Sequence, residues 1–129
     1  MKKHSIDLRK YSRVFFCMRD HVEGTVNAAA GRQVPARFIN LSEGGISFIC
    51  DRVQAQHFDQ GHVVTLKPKR SGILAFLENA ECEVRYMFTV ECIPLATIGC
   101  EFMMLSAAAL DKIRKIVGSK RWEASGVRS

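Results

Sequence analysis

Two short patterns in this chain gather residue types suited to binding a compact anion. Arg9-x-x-x-Arg13 lies near the start and Asn40-x-Ser42-x-x-Gly45 lies in a turn-like cluster. Arginine pairs bidentately with phosphate and stacks on flat rings. Asparagine offers a carbonyl acceptor and an amide donor, and serine a short hydroxyl. Asn40 and Ser42 are two apart, so in an extended chain both side chains point to one face. Gly44 and Gly45 permit a tight turn and a close approach that a Cβ would block. The two patterns differ in weight. With 11 Arg among 129 residues, one R-x-x-x-R is expected about once by chance. The second pattern, with Asp or Asn first, is expected about 0.04 times from this composition. Each also has a plain structural reading: solvated charges for Arg9 and Arg13, backbone-bonding turn residues for Asn40 and Ser42.

Other reactive types form no comparable group. Glu81 and Glu83 share a strand face but have no positioned nucleophile. His57 and His62 flank Gly61 without partners, and no Ser/His/Asp or Cys/His arrangement stands out. The chain is therefore expected not to be an enzyme. The five cysteines (17, 50, 82, 92 and 100) include no C-x-x-C pair, and neither they nor the four histidines have paired zinc-ligand spacing. No metal site and no disulfide framework are expected. The cysteines read as reduced, small core residues in a cytoplasmic protein.

Elements must position the two patterns. At roughly 150 residues per domain, the length fits one domain. No apolar run approaches the roughly 20 residues of a spanning helix, so no membrane insertion is expected. The start lacks the apolar core of a signal peptide. Residues 1–12 read as a flexible basic arm, 13–118 as the folded domain, and 119–129 as a polar basic tail. Apolar β-prone runs appear at 14–18, 34–38, 46–50, 62–66 and 73–77, with the clearest alternation over 80–88 and another over 98–104. In the 80–88 run Tyr86 and Phe88 fall with Cys82 and Val84, on the core side. The stretch Gly24–Ala30 carries no firm strand signal. Ser106 caps a helix whose stripe is Leu110, Ile113, Ile116 and Val117, with Gly118 as its stop. About six short strands and one C-terminal helix suggest a barrel or a sandwich.

The order and context of the two patterns carry a resemblance. Arg9-Lys10-Tyr11-Ser12-Arg13-Val14, Asn40-Leu41-Ser42-Glu43-Gly44-Gly45-Ile46, and Gly99-Cys100-Glu101-Phe102 leading into the last helix resemble the PilZ domain family, bacterial receptors for cyclic di-GMP. The resemblance covers about residues 9–117. It implies a mainly β fold, a six-stranded antiparallel β-barrel with a C-terminal α-helix, and a ligand held between arm and barrel face. It implies cyclic di-GMP as ligand, with no other cofactor. Arg9, Arg13, Asn40, Ser42 and Gly45 would contact it, with Lys10 and Gly44 as further candidates. The ligand's two phosphates and two guanines suit arginine. Asn40 stands where family members often have Asp, and its neutral carbonyl is the weaker acceptor.

Charge narrows the partners. The net +6 divides into +4 over residues 1–13, +5 over 112–129 and −3 between them. A protein that coats a long polyanion carries its charge across a folded face. Here the excess sits at the two ends, so a long nucleic acid is not expected. The leading expectation is a receptor that orders its arm on ligand binding and signals to a downstream protein. The alternatives are an interaction module of the same fold that binds no nucleotide, a small basic barrel for RNA or single-stranded DNA, and a split-barrel flavin enzyme, for which no cofactor loop is found.

Overall fold

A computed structural model of the chain describes residues 12–124. Arg9 and Lys10, with nearly all of the expected arm, lie outside the described residues, as does the end of the tail from 125 to 129. Seven strands, β1 (Arg13–Phe15), β2 (Glu23–Asn27), β3 (Gln33–Ser42), β4 (Gly45–Asp51), β5 (Val63–Pro68), β6 (Glu81–Thr89) and β7 (Leu95–Phe102), precede one helix, α1 (Ala107–Ala124). All pairings are antiparallel. Neighbours run from β3 through β2, β5, β6, β7 and β4 back to β3, so six strands close a barrel. Closure removes the free edges that invite aggregation. The three-residue β1 is an addition to it. β2 pairs with the first half of β3, and β1 takes up the same edge over Asn40–Ser42.

Period-two patterning sorts the side chains. Val34, Ala36 and Phe38 of β3, Ile46, Phe48 and Cys50 of β4, and Ile98, Cys100 and Phe102 of β7 are buried. Phe48 meets Phe38 and Phe58 edge to face, with centroids 6.3 and 5.5 Å apart, a favoured aromatic geometry. α1 covers one side, packing on β1 and β3 through buried Ile113 and Val117. Ser106 caps it as expected, its Oγ accepting from the Ala109 N–H at 3.0 Å.

Several expectations need correction. Glu23–Asn27 is a strand although its sequence shows little apolar alternation. Only Val26 is buried there, and the segment is held by strands on both sides. Residues 73–77 are not a strand. They form a turn with a 3-10 segment at Ala75–Leu77, because Leu74 and Leu77, three apart, are both buried while Ile73 is outside. β3 runs on through Asn40 and Ser42, which leaves only Glu43 and Gly44 as the turn. α1 passes through Gly118 without a break, so the stop lies beyond it. Gly118 costs such a helix about 1 kcal/mol relative to alanine, too little alone to end it. Met104 lies past the end of β7 and is exposed. Cys50, Cys82 and Cys100 are core residues, whereas Cys17 and Cys92 are exposed.

Burial raises the Cys50 thiol to about 11, with Asp51 adding to it, and raises Cys100 to about 12. Cys82 is also pushed up, by burial first and then by Cys100 and Glu81. A raised folded-state pKa means the native state holds the proton longer. This contribution to stability is therefore complete below the ordinary thiol value of 9.0 and is lost as pH climbs through 11 to 12. Two outcomes follow. In native protein a thiol reagent will modify Cys17 and Cys92 quickly, and the other three only when denaturant is added. The urea midpoint will fall steadily between about pH 9 and 11, and a flat midpoint across that range would contradict the burial of these thiols.

Candidate functional site

The described candidate residues meet on the outer face of the barrel, at the junction of β1, β3 and β4. Arg13 is the register partner of Ser42, and Phe15 that of Asn40. Asn40 in turn pairs with Ser47 of β4. Asn40 reaches this face through a register shift between Phe38 and Asn40. Strict alternation from buried Phe38 would send Asn40 into the core. The shift adds one residue, Ile39, so Asn40 and Ser42 share the side opposite Leu41, which fills the interior, and Ser42 is covered there at 2% exposure. Asn40 stays largely covered, at 8% exposure.

The turn residues have work within the fold. Ser42 Oγ accepts from the Gly44 N–H at 3.1 Å and the Gly45 N–H at 3.2 Å, so it closes the β3–β4 turn. A hydroxyl accepting two bonds still has one proton to donate. Gly45 is set by β7: a Cβ there would lie 2.1 Å from the Cys100 carbonyl oxygen. Glu43, between the motif residues, binds Arg114 of α1 at 3.1 Å, which ties the turn to the helix.

The face extends across β7 to β6, and here the sequence reading missed residues. Ser47 pairs with Gly99, and Gly99 with Tyr86. The Tyr86 hydroxyl lies 3.0 Å from Ser47 Oγ. Tyr86 and Phe88 are not core residues: they are 40% and 59% exposed. The reason is a second register shift, between Val84 and Tyr86, which turns the following residues over. Next to this row Arg85 reaches Glu83 and Glu101, at 3.5 Å each. An adjoining groove of about 600 Å³, lined by Phe16, Pro35, Arg37, Ile39, Ile49 and Leu95, contains none of the motif residues. Among the described residues no three His, Cys, Asp or Glu side chains are grouped to hold a metal ion, and no helix is long and apolar enough to cross a membrane.

Ser42→Ala leaves two turn amides without their acceptor. It should cost about 1–3 kcal/mol in urea denaturation, while Ser42→Thr, which keeps the oxygen, should recover most of it. Equal stability of Ser42→Ala and wild type would mean the turn does not need the hydroxyl.

A family model described as the PilZ domain matches residues 7–119. No curated protein matches the sequence. Solved structures share the fold. The PilZ domain of YcgR from Escherichia coli with c-di-GMP superposes with a TM-score of 0.70 at 13% identity, covering 95% of this chain and 100% of that one. The MrkH–c-di-GMP complex of K. pneumonia gives 0.73 at 13%, covering 95% of this chain and 57% of that one. The Bacillus subtilis inhibitor of motility, MotI/DgrA, gives 0.66 at 16%, covering 92% and 53%. This chain thus spans the whole of the YcgR domain but little more than half of the other two.

Proposed function

Because the chain belongs to the PilZ domain family, we propose that it is a non-catalytic cyclic di-GMP receptor that acts in the cytoplasm and passes its signal to a protein partner. The observation that carries the reading is the register of β1, β3 and β4, which sets Arg13 opposite Ser42 and beside Asn40. These residues supply complementary chemistry. The Arg13 guanidinium pairs with a phosphate or with guanine O6 and N7. The Asn40 carbonyl accepts from guanine N–H groups, and the Ser42 hydroxyl keeps one donor. Gly44 and Gly45 keep the turn low beside the ligand. Arg9 and Lys10, in the segment before β1, bring further positive charge, and residues 1–12 close over the ligand and become ordered as it binds. That closure creates the surface a downstream protein reads. Residues 119–129, of which the first six continue α1, carry further positive charge.

A second reading is an interaction module of the same fold that binds no nucleotide. The turn roles of Ser42 and Gly45 favour it, since both residues are needed for the barrel whether or not a ligand comes.

Titration calorimetry with cyclic di-GMP separates the two. Wild type should bind at micromolar concentration or tighter, and Arg13→Ala should bind at least tenfold more weakly, a loss of about 1.4 kcal/mol or more. A folded wild type that gives no heat well above micromolar concentration supports the interaction module instead.

A further inference from the structure

The geometry points to Tyr86 as the base-stacking platform of the ligand site, its ring laid flat on β7 to receive a guanine on its outward side; this rests on the cyclic di-GMP reading above. Four strands contribute one transverse row to the outer face: Asn40 from β3, Ser47 from β4, Gly99 from β7 and Tyr86 from β6. Within that row Tyr86 does not project away from its own strand. It lies back over Gly99: a Cβ at that position would sit 2.0 Å from Cε2, 2.1 Å from Cζ and 2.6 Å from the hydroxyl oxygen. The ring thus fills the space where any other residue at 99 would put its side chain. Its far end is fixed by the hydroxyl, 3.0 Å from Ser47 Oγ, and Ser47 is buried beneath it.

A ring so held has one side against the sheet and the other toward solvent, which accounts for its 40% exposure. A core aromatic would be buried, and a free surface aromatic would need neither a glycine seat nor a hydroxyl anchor. A fixed flat ring loses little freedom when a base stacks on it, and base–aromatic stacking tolerates any base because every base has a π-face. Selection then falls to the edge contacts. The ring over β7 and Asn40 on β3 are two strand spacings apart, about 10 Å. A purine stacked on the ring closes that span with its hydrogen-bonding edge toward Asn40. The carboxylates nearest the row, Glu83 and Glu101, are both bridged by Arg85, so they do not meet the phosphates as bare charges.

Calorimetry and guanine absorbance with cyclic di-GMP, on full-length wild type, Tyr86→Leu, Tyr86→Phe and Arg13→Ala, test the assignment. Tyr86→Leu should weaken binding about tenfold or more and abolish the hypochromic change that stacking produces. Tyr86→Phe should lose some stability with its Ser47 bond yet keep both affinity within about threefold and the hypochromic change, which a merely structural role of the tyrosine would not predict. Wild-type binding that Arg13→Ala weakens and Tyr86→Leu leaves intact would overturn the platform and spare the receptor. Absence of wild-type binding would remove both. If Tyr86→Leu fails to fold, Gly99→Ala, which lifts the ring from its seat, should reproduce the loss of hypochromism, and unchanged hypochromism there would equally overturn the assignment.

Discussion

Two register shifts decide what the outer face of this barrel can offer. In an uninterrupted strand, side-chain parity is fixed from end to end, so a single buried anchor assigns every other residue to a face. β3 is anchored by Phe38 and β6 by Val84, both inside. Without the shift after Phe38, Asn40 and Ser42 would point into the core and Leu41 outward. Without the shift after Val84, Tyr86 would be buried. Each shift inserts one residue and reverses the parity beyond it. The two act on strands separated by β4 and β7, yet they deliver their residues to the same transverse row. A core that needs Phe38 and Leu41 inside is thereby reconciled with a face that carries Asn40, Ser42 and Tyr86.

The small residues of the face follow from the same geometry. Gly45 is required where β4 meets the Cys100 carbonyl, and Gly99 is required where the Tyr86 ring crosses β7. Ser42 is required by the amides of Gly44 and Gly45. The serine and the last glycine of the Asn-x-Ser-x-x-Gly pattern thus serve the fold itself. Strand, turn and neighbouring strand are fixed by these bonds and by the strand pairing, and a preset backbone of this kind lowers the cost of binding at a face.

This explains how much could be read from the sequence. Composition, short alternating runs and the Ser106 cap made a small β domain with a last helix legible. The spacing of Asn40 and Ser42 correctly put them on one face. The alternation rule failed where a register shift intervenes, since nothing in Cys82-Glu83-Val84-Arg85-Tyr86 marks the inserted residue, and Tyr86 and Phe88 fell on the wrong side. It also failed for Glu23–Asn27, whose strand identity comes from β3 and β5 on either side rather than from its own residues. At 73–77 the burial of Leu74 and Leu77 followed a helical spacing of three, which a short apolar run does not distinguish from a strand. Gly118 reads as a stop because glycine often ends helices, but α1 runs on through it to Ala124, with Ile113 and Val117 docking the preceding turns on the barrel.

The barrel segment is acidic, and the charges around this face are arranged in ion pairs. The segment from 14 to 111 is net −3, which alone would repel a doubly charged ligand. The acidic groups nearest the face are nevertheless paired: Glu83 and Glu101 with Arg85, Glu43 with Arg114, and Glu23 with Arg37 and Lys69. Exposed pairs of this kind add at most about 1 kcal/mol each to stability. Their larger consequence is electrostatic. With these carboxylates neutralised at short range, the net −3 of this segment weighs less at the turn than the bare count suggests.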